Sequence, residues 1–77
     1  METQINIPEA ISMYKESINR DSSKSDIYKS LGNLYEEEKK FKEAERLYKK
    51  AVRQNFPDSV YFDNKIIELD LKNSLKN

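Results

Sequence analysis

The sequence predicts an all-α chain of four short helices, on three observations. One Gly and two Pro in 77 residues leave almost no material for hairpin turns. Charged residues make up 36% of the chain and are rich in Lys and Glu, which favour helix. Apolar residues recur at spacings of three and four, the period of one buried helix face.

The first helix follows Asn6, whose side chain is placed to cap it, with Glu9 three residues on completing a capping box and Pro8 tolerated in the first turn. Its apolar stripe is Ala10, Ile11, Tyr14 and Ile18, and it ends in the polar run from Asn19 to Ser25. The second helix is expected from about Ser25 to Glu38, with Tyr28, Leu31, Gly32 and Tyr35 on one face. Lys39 and Lys40 make a short turn. The third, from about Phe41 to Gln54, carries Phe41, Ala44, Leu47, Tyr48, Ala51 and Val52, and Asn55-Phe56-Pro57 stops it. Asp58 or Ser59 caps the fourth, which carries Phe62, Ile66, Leu69 and Leu71 and fades from Lys72 onward. The domain therefore spans residues 7–73, with an N-terminal arm of 1–6 and a tail of 74–77.

Composition excludes several classes of function. A chain of this length buries only about 60% of its unfolded surface, so it needs well-packed helices, a partner or a staple. No Cys and no His are present, which removes disulfides, Cys/His zinc sites and Ser-His or Cys-His nucleophile pairs. Fourteen basic residues balance fourteen acidic ones, so bulk attraction to nucleic acid or an anionic membrane is not expected. The N-terminus has neither a basic region nor a long apolar run, and a cytoplasmic location is the default expectation. No glycine-rich phosphate loop or nucleophile elbow is present, so neither an enzyme nor a cofactor is expected.

A shift of 34 residues superposes the first helix on the third and the second on the fourth. Ala10 falls on Ala44, Tyr14 on Tyr48, Ile18 on Val52, Tyr28 on Phe62 and Tyr35 on Leu69. Small residues at Gly32, Ala44 and Ala51 let antiparallel helices approach, while Tyr28, Tyr35 and Tyr48 fill the wedges between them. A generic bundle with Ala and Tyr in its core is the alternative. The segment Tyr28-x-x-Leu31-Gly32-x-x-Tyr35, followed by Ala44, Tyr48, Ala51 and Pro57, resembles one full tetratricopeptide repeat, flanked here by half repeats. The chain departs from that pattern in three places. Lys39 and Lys40 occupy a turn that usually carries Gly, Pro57 sits one residue late, and Lys65-Ile66 replace Leu-Gly.

The resemblance implies a helical solenoid fragment that binds a protein or peptide on a concave face lined by the second and fourth helices. That face would hold Asp26, Lys29, Asn33, Glu36 and Glu37, then Asp63, Asn64, Ile67 and Asp70, an acidic set suited to a basic partner. Lys29, Asn33 and Asn64 also reproduce the spacing of a carboxylate clamp known in some members of the family. The cationic residues that a following repeat would add to such a clamp are missing. Each of these side chains also has a plainer reading as a solvated helix face.

Two further charge patterns stand out. Glu36-Glu37-Glu38 point in different directions on a helix and do not suggest a metal site. Lys42, Arg46, Lys49 and Arg53 align as a basic ridge on the third helix, where phosphate binding competes with simple solvation supported by Glu45-Lys49 pairing. The rival function is self-association. Ile11 and Tyr14 at one end, with Ile66, Ile67, Leu71 and Leu75 at the other, face places where a solenoid would have further helices. The N-terminal arm folding back with Ile5 and the adjoining Ile7, a second copy in a homodimer, or neighbouring repeats of a longer array are the coverings to expect.

Overall fold

The computed structural model describes residues 6–75, which form four helices joined by short turns: α1 (Ile7–Arg20), α2 (Ser25–Glu37), α3 (Phe41–Arg53) and α4 (Ser59–Leu75). Each helix packs antiparallel on the next in the chain, α1 on α2, α2 on α3 and α3 on α4. Both α1 to α3 and α2 to α4 begin 34 residues apart, matching the period in the sequence.

The ends of the helices follow local chemistry. The Glu9 backbone N–H donates to Asn6 Oδ1 at 3.2 Å, which satisfies one of the donors left free at the start of α1. At the other end Asp21 is extended, and its Oδ1 accepts from the backbone N–H and the hydroxyl of Ser23 at 3.1 and 2.6 Å. These bonds hold the Asp21 carboxyl below the usual carboxylate range.

The α2–α3 turn places Lys39 at φ 61°, where the left-handed conformation closes a tight C-terminal motif. The Lys39 N–H donates to Glu36 O at 2.9 Å and the Lys40 N–H to Tyr35 O at 2.8 Å. Asn55, also at φ 61°, ends α3 with an N–H bond to Val52 O at 3.1 Å. Asn enters this conformation more readily than Lys does.

Helix α4 continues to Leu75, past Lys72 where its apolar pattern weakens. Two contacts to α3 hold the extra turn. Asn73 Nδ2 donates to Glu45 Oε1 at 3.0 Å, and Lys72 Nζ lies 5.2 Å from the centre of the Phe41 ring.

The core is built from Ile18, Tyr28, Leu31, Tyr35, Ala44, Tyr48, Ala51, Phe62 and Leu69. Phe62 is its hub, with four rings within 6.4 Å of its own: Tyr28, Tyr48, Phe56 and Tyr61. Phe56, which the sequence reading treats only as part of a helix stop, packs back against this cluster. The close approach expected of the small residues between α2 and α3 is made at Gly32, against Tyr48. A Cβ at Gly32 would overlap the tip of the Tyr48 ring.

Ile11, Tyr14 and Ile66, expected as bare end faces, are half-buried and pack against the core. Leu71, expected in the fourth helix's apolar set, is exposed. Ile5 lies outside the described residues.

Candidate protein-binding face

Side chains bridge α2 to α4 in parallel register, although each helix packs chiefly on α3. Ser25 Oγ donates to Asp58 Oδ2 at 3.2 Å, at the start of both helices. One turn along α2, Lys29 Nζ reaches the same Asp58 Oδ2 at 2.7 Å and sits 4.8 Å from the centre of the Tyr61 ring. Near the far end, Lys65 Nζ lies 3.1 Å from Glu36 Oε2, which also accepts from the Tyr48 hydroxyl at 2.8 Å. Lys65 is shared with Glu68 at 3.6 Å.

The electrostatics follow from these contacts. The hydrogen bond from Lys29 outweighs burial and holds the Asp58 carboxyl below its ordinary value. The reciprocal bond raises the Lys29 ammonium. Burial would depress Lys65, but the hydrogen bond and charge of Glu36 outweigh it, so its pKa is raised. Burial, reinforced by Glu36, pushes the Tyr48 phenol far above its ordinary range, so it remains a donor at every ordinary pH.

The residues singled out in the sequence divide into two groups. Lys29 and Glu36 face the seam and are engaged within the chain, with side chains only 30% and 16% exposed. Asp26, Asn33 and Glu37 on α2, and Asp63, Asn64, Ile67 and Asp70 on α4, are exposed. None of these seven has a hydrogen bond or ion pair among the described residues. Lys29, Asn33 and Asn64 therefore do not stand as three equivalent free donors, because the Lys29 charge is already matched by Asp58.

A second cation joins Lys29 in the seam: Lys65, which in the sequence stands in place of the Leu of a Leu-Gly pair, neutralises Glu36. A signal for it was present: the 34-residue shift places Lys65 on Leu31, which is 1% exposed. A Lys at such a position requires a carboxylate within reach. The unpartnered outer residues keep their acidic balance, in Asp26, Glu37, Asp63 and Asp70.

Alongside the acids runs an apolar line on α4: Val60, Ile67, Leu71 and Leu75 are 66%, 60%, 60% and 83% exposed. Among the described residues no helix is long and apolar enough to cross a membrane, and no cluster of three or more acidic residues is placed to hold a metal. Comparison of the chain with protein-family models, curated proteins and solved structures finds no match.

Proposed function

We propose that the chain is a tetratricopeptide-like interaction module that binds a basic, partly apolar peptide segment across α2 and α4. One observation carries this reading. The two helices satisfy their seam internally and leave an outer strip of acids, amides and Ile67 with no hydrogen bond or ion pair among the described residues. The 34-residue spacing of helix starts and the nesting of Tyr48 against Gly32 support the repeat geometry. The role is binding, with no catalytic step and no cofactor.

Carboxylates on a rim chiefly raise the association rate and make it depend on salt. Titration of the protein into labelled peptides carrying Lys or Arg around an apolar residue should show binding that weakens with added salt. Glu37→Lys with Asp63→Lys should weaken it by about tenfold, because both residues are exposed and make no hydrogen bond or ion pair among the described residues. Preference for peptides ending in a free acidic tail, lost in Lys29→Ala or Asn64→Ala, would replace this reading with the carboxylate clamp.

Self-association is a second reading, favoured by the exposed line Val60, Ile67, Leu71 and Leu75. It uses the same face of α4, so it competes with peptide capture.

A further inference from the structure

Helices α1 and α3 both pack against α2, and between them lies a cavity of 280 Å³ that no part of the reading above uses. Its floor is apolar: Ile18 from α1, Leu31 from α2 and Leu47 from α3. Its rim is cationic, with Lys15 from α1 and Arg46 and Lys50 from α3, opposed by Glu43 alone. Lys15, Arg46 and Lys50 have no ion pair or hydrogen bond among the described residues. By contrast, their neighbour Lys49 is paired with Glu45 at 3.5 Å. Of the basic ridge of α3, Arg46 alone lines this depression, where Lys50 from outside the ridge joins it.

We infer that this groove docks an acidic peptide segment of a partner protein, placing one large apolar side chain on the Ile18–Leu31–Leu47 floor and flanking carboxylates against Lys15, Arg46 and Lys50. Two features select this occupant. The volume falls just below the range of about 300–1,000 Å³ typical of small-molecule sites, which suits one or two inserted side chains better than a larger ligand. The three unpaired cations converge from two helices around an apolar floor, so the complementary ligand is anionic at its edges and apolar at its centre. Guanidinium and ammonium groups bind carboxylates through charge-assisted hydrogen bonds. This face is distinct from the α2–α4 strip and opposite to it in charge, so the two bind different segments and stand or fall independently.

The test is fluorescence anisotropy with a short labelled peptide of Asp and Glu around a central Phe-Leu pair, titrated with the full chain. A matched peptide with the Phe-Leu pair replaced by Ser-Ser serves as control. The Phe-Leu peptide should bind and the Ser-Ser peptide should bind at least about tenfold more weakly, because the floor contributes only through an apolar side chain. The variant Arg46→Glu with Lys50→Glu alters exposed side chains that have no ion pair or hydrogen bond among the described residues. It should keep the wild-type melting temperature and lose about tenfold in affinity.

Equal binding of both peptides, or binding unaffected by the double variant, would reduce the site to diffuse charge and overturn the inference. So would binding that appears only after residues 1–5 are deleted, since the chain's own N-terminal segment would then be the occupant. A wild-type dimer that the double variant converts to monomer would assign the groove to a second copy and overturn it equally.

Discussion

At the scale of single residues, two core positions decide how tightly the helices fit. Gly32 is the point where α2 admits the ring of Tyr48. Alanine would gain about 1 kcal/mol of helix propensity there. Its methyl, however, would displace a buried ring whose hydroxyl is fixed on Glu36, and overpacking of this kind costs about 1–3 kcal/mol. The loss of that charge-assisted bond adds to the cost, so Gly32→Ala should destabilise by about 1–2 kcal/mol and lower the melting temperature by several degrees. An unchanged or higher melting temperature would mean that Tyr48 has room to move. Tyr28 presents the opposite case. Its ring is wholly buried between Phe56 and Phe62, and its hydroxyl finds no partner among the described residues. Burial accordingly raises its pKa. The equivalent position one repeat on is already Phe62, so Tyr28→Phe keeps the packing and removes an unsatisfied group. Stabilisation of about 1 kcal/mol is expected in urea denaturation, and a loss of stability would reveal a partner for the hydroxyl.

At the scale of elements, turns and seams contribute what the helices alone do not specify. The α2–α3 turn holds Lys39 in the left-handed conformation at a cost of about 1 kcal/mol relative to glycine. Because the backbone bonds of the turn do not involve its side chain, Lys39→Gly should raise the melting temperature by about 4–8 °C. No rise would mean that the turn relaxes without cost. The α2–α4 seam responds to pH through Lys29 and Asp58. Asp58 has a depressed pKa, so its contribution is present above its unfolded value of about 3.9 and is lost as pH falls through the folded value. Lys29 has a raised pKa, so its contribution is present below about 10.4 and is lost as pH rises through the folded value. Asp58→Asn should therefore flatten the decline in stability as pH falls below about 4, measured by urea midpoints. An acid limb identical to wild type would show that the pair contributes nothing to folding. Most of the element plan was legible in the sequence. The buried face of α2 was read residue for residue, because small and large apolar side chains recur there with helical period. The bridges to α4 were not, because hydropathy marks Lys65 and Glu36 as surface, and only their three-dimensional register makes them partners. The α1–α3 cavity was equally hidden: its cations lie on two helices, and of them only Arg46 belongs to the ridge that a single-helix projection of α3 shows.

At the scale of the whole molecule, the self-association reading turns on how α4 would meet a second copy. Continuation of the repeat would stack α1 of the next copy on α4 as α3 stacks on α2. That arrangement places Tyr14 where Tyr48 sits and Ile66 where Gly32 sits, and the methyl that Gly32 lacks is exceeded by a whole isoleucine. Head-to-tail stacking at the spacing used inside the chain is therefore sterically blocked. The exposed line on α4 follows a different rule. Val60, Asn64, Ile67 and Leu71 are spaced four, three and four residues apart, the pattern of a coiled-coil seam with one Asn inside it. Such a seam pairs with its own copy across a two-fold axis, and a buried Asn in it favours one register over others. Covering a large apolar side chain fully gains about 1.5–3 kcal/mol, but these are already partly covered, and association costs at least about 4 kcal/mol. Under the self-association reading, the balance predicts a weak dimer rather than a permanent one. Sedimentation at increasing concentration should show the mass rising from monomer toward dimer in the micromolar range or above, and Ile67→Lys should hold the chain monomeric without changing its helix content. A wild-type chain that stays monomeric at every concentration would remove the α4 dimer and leave Ile67 and Asn64 free for a peptide.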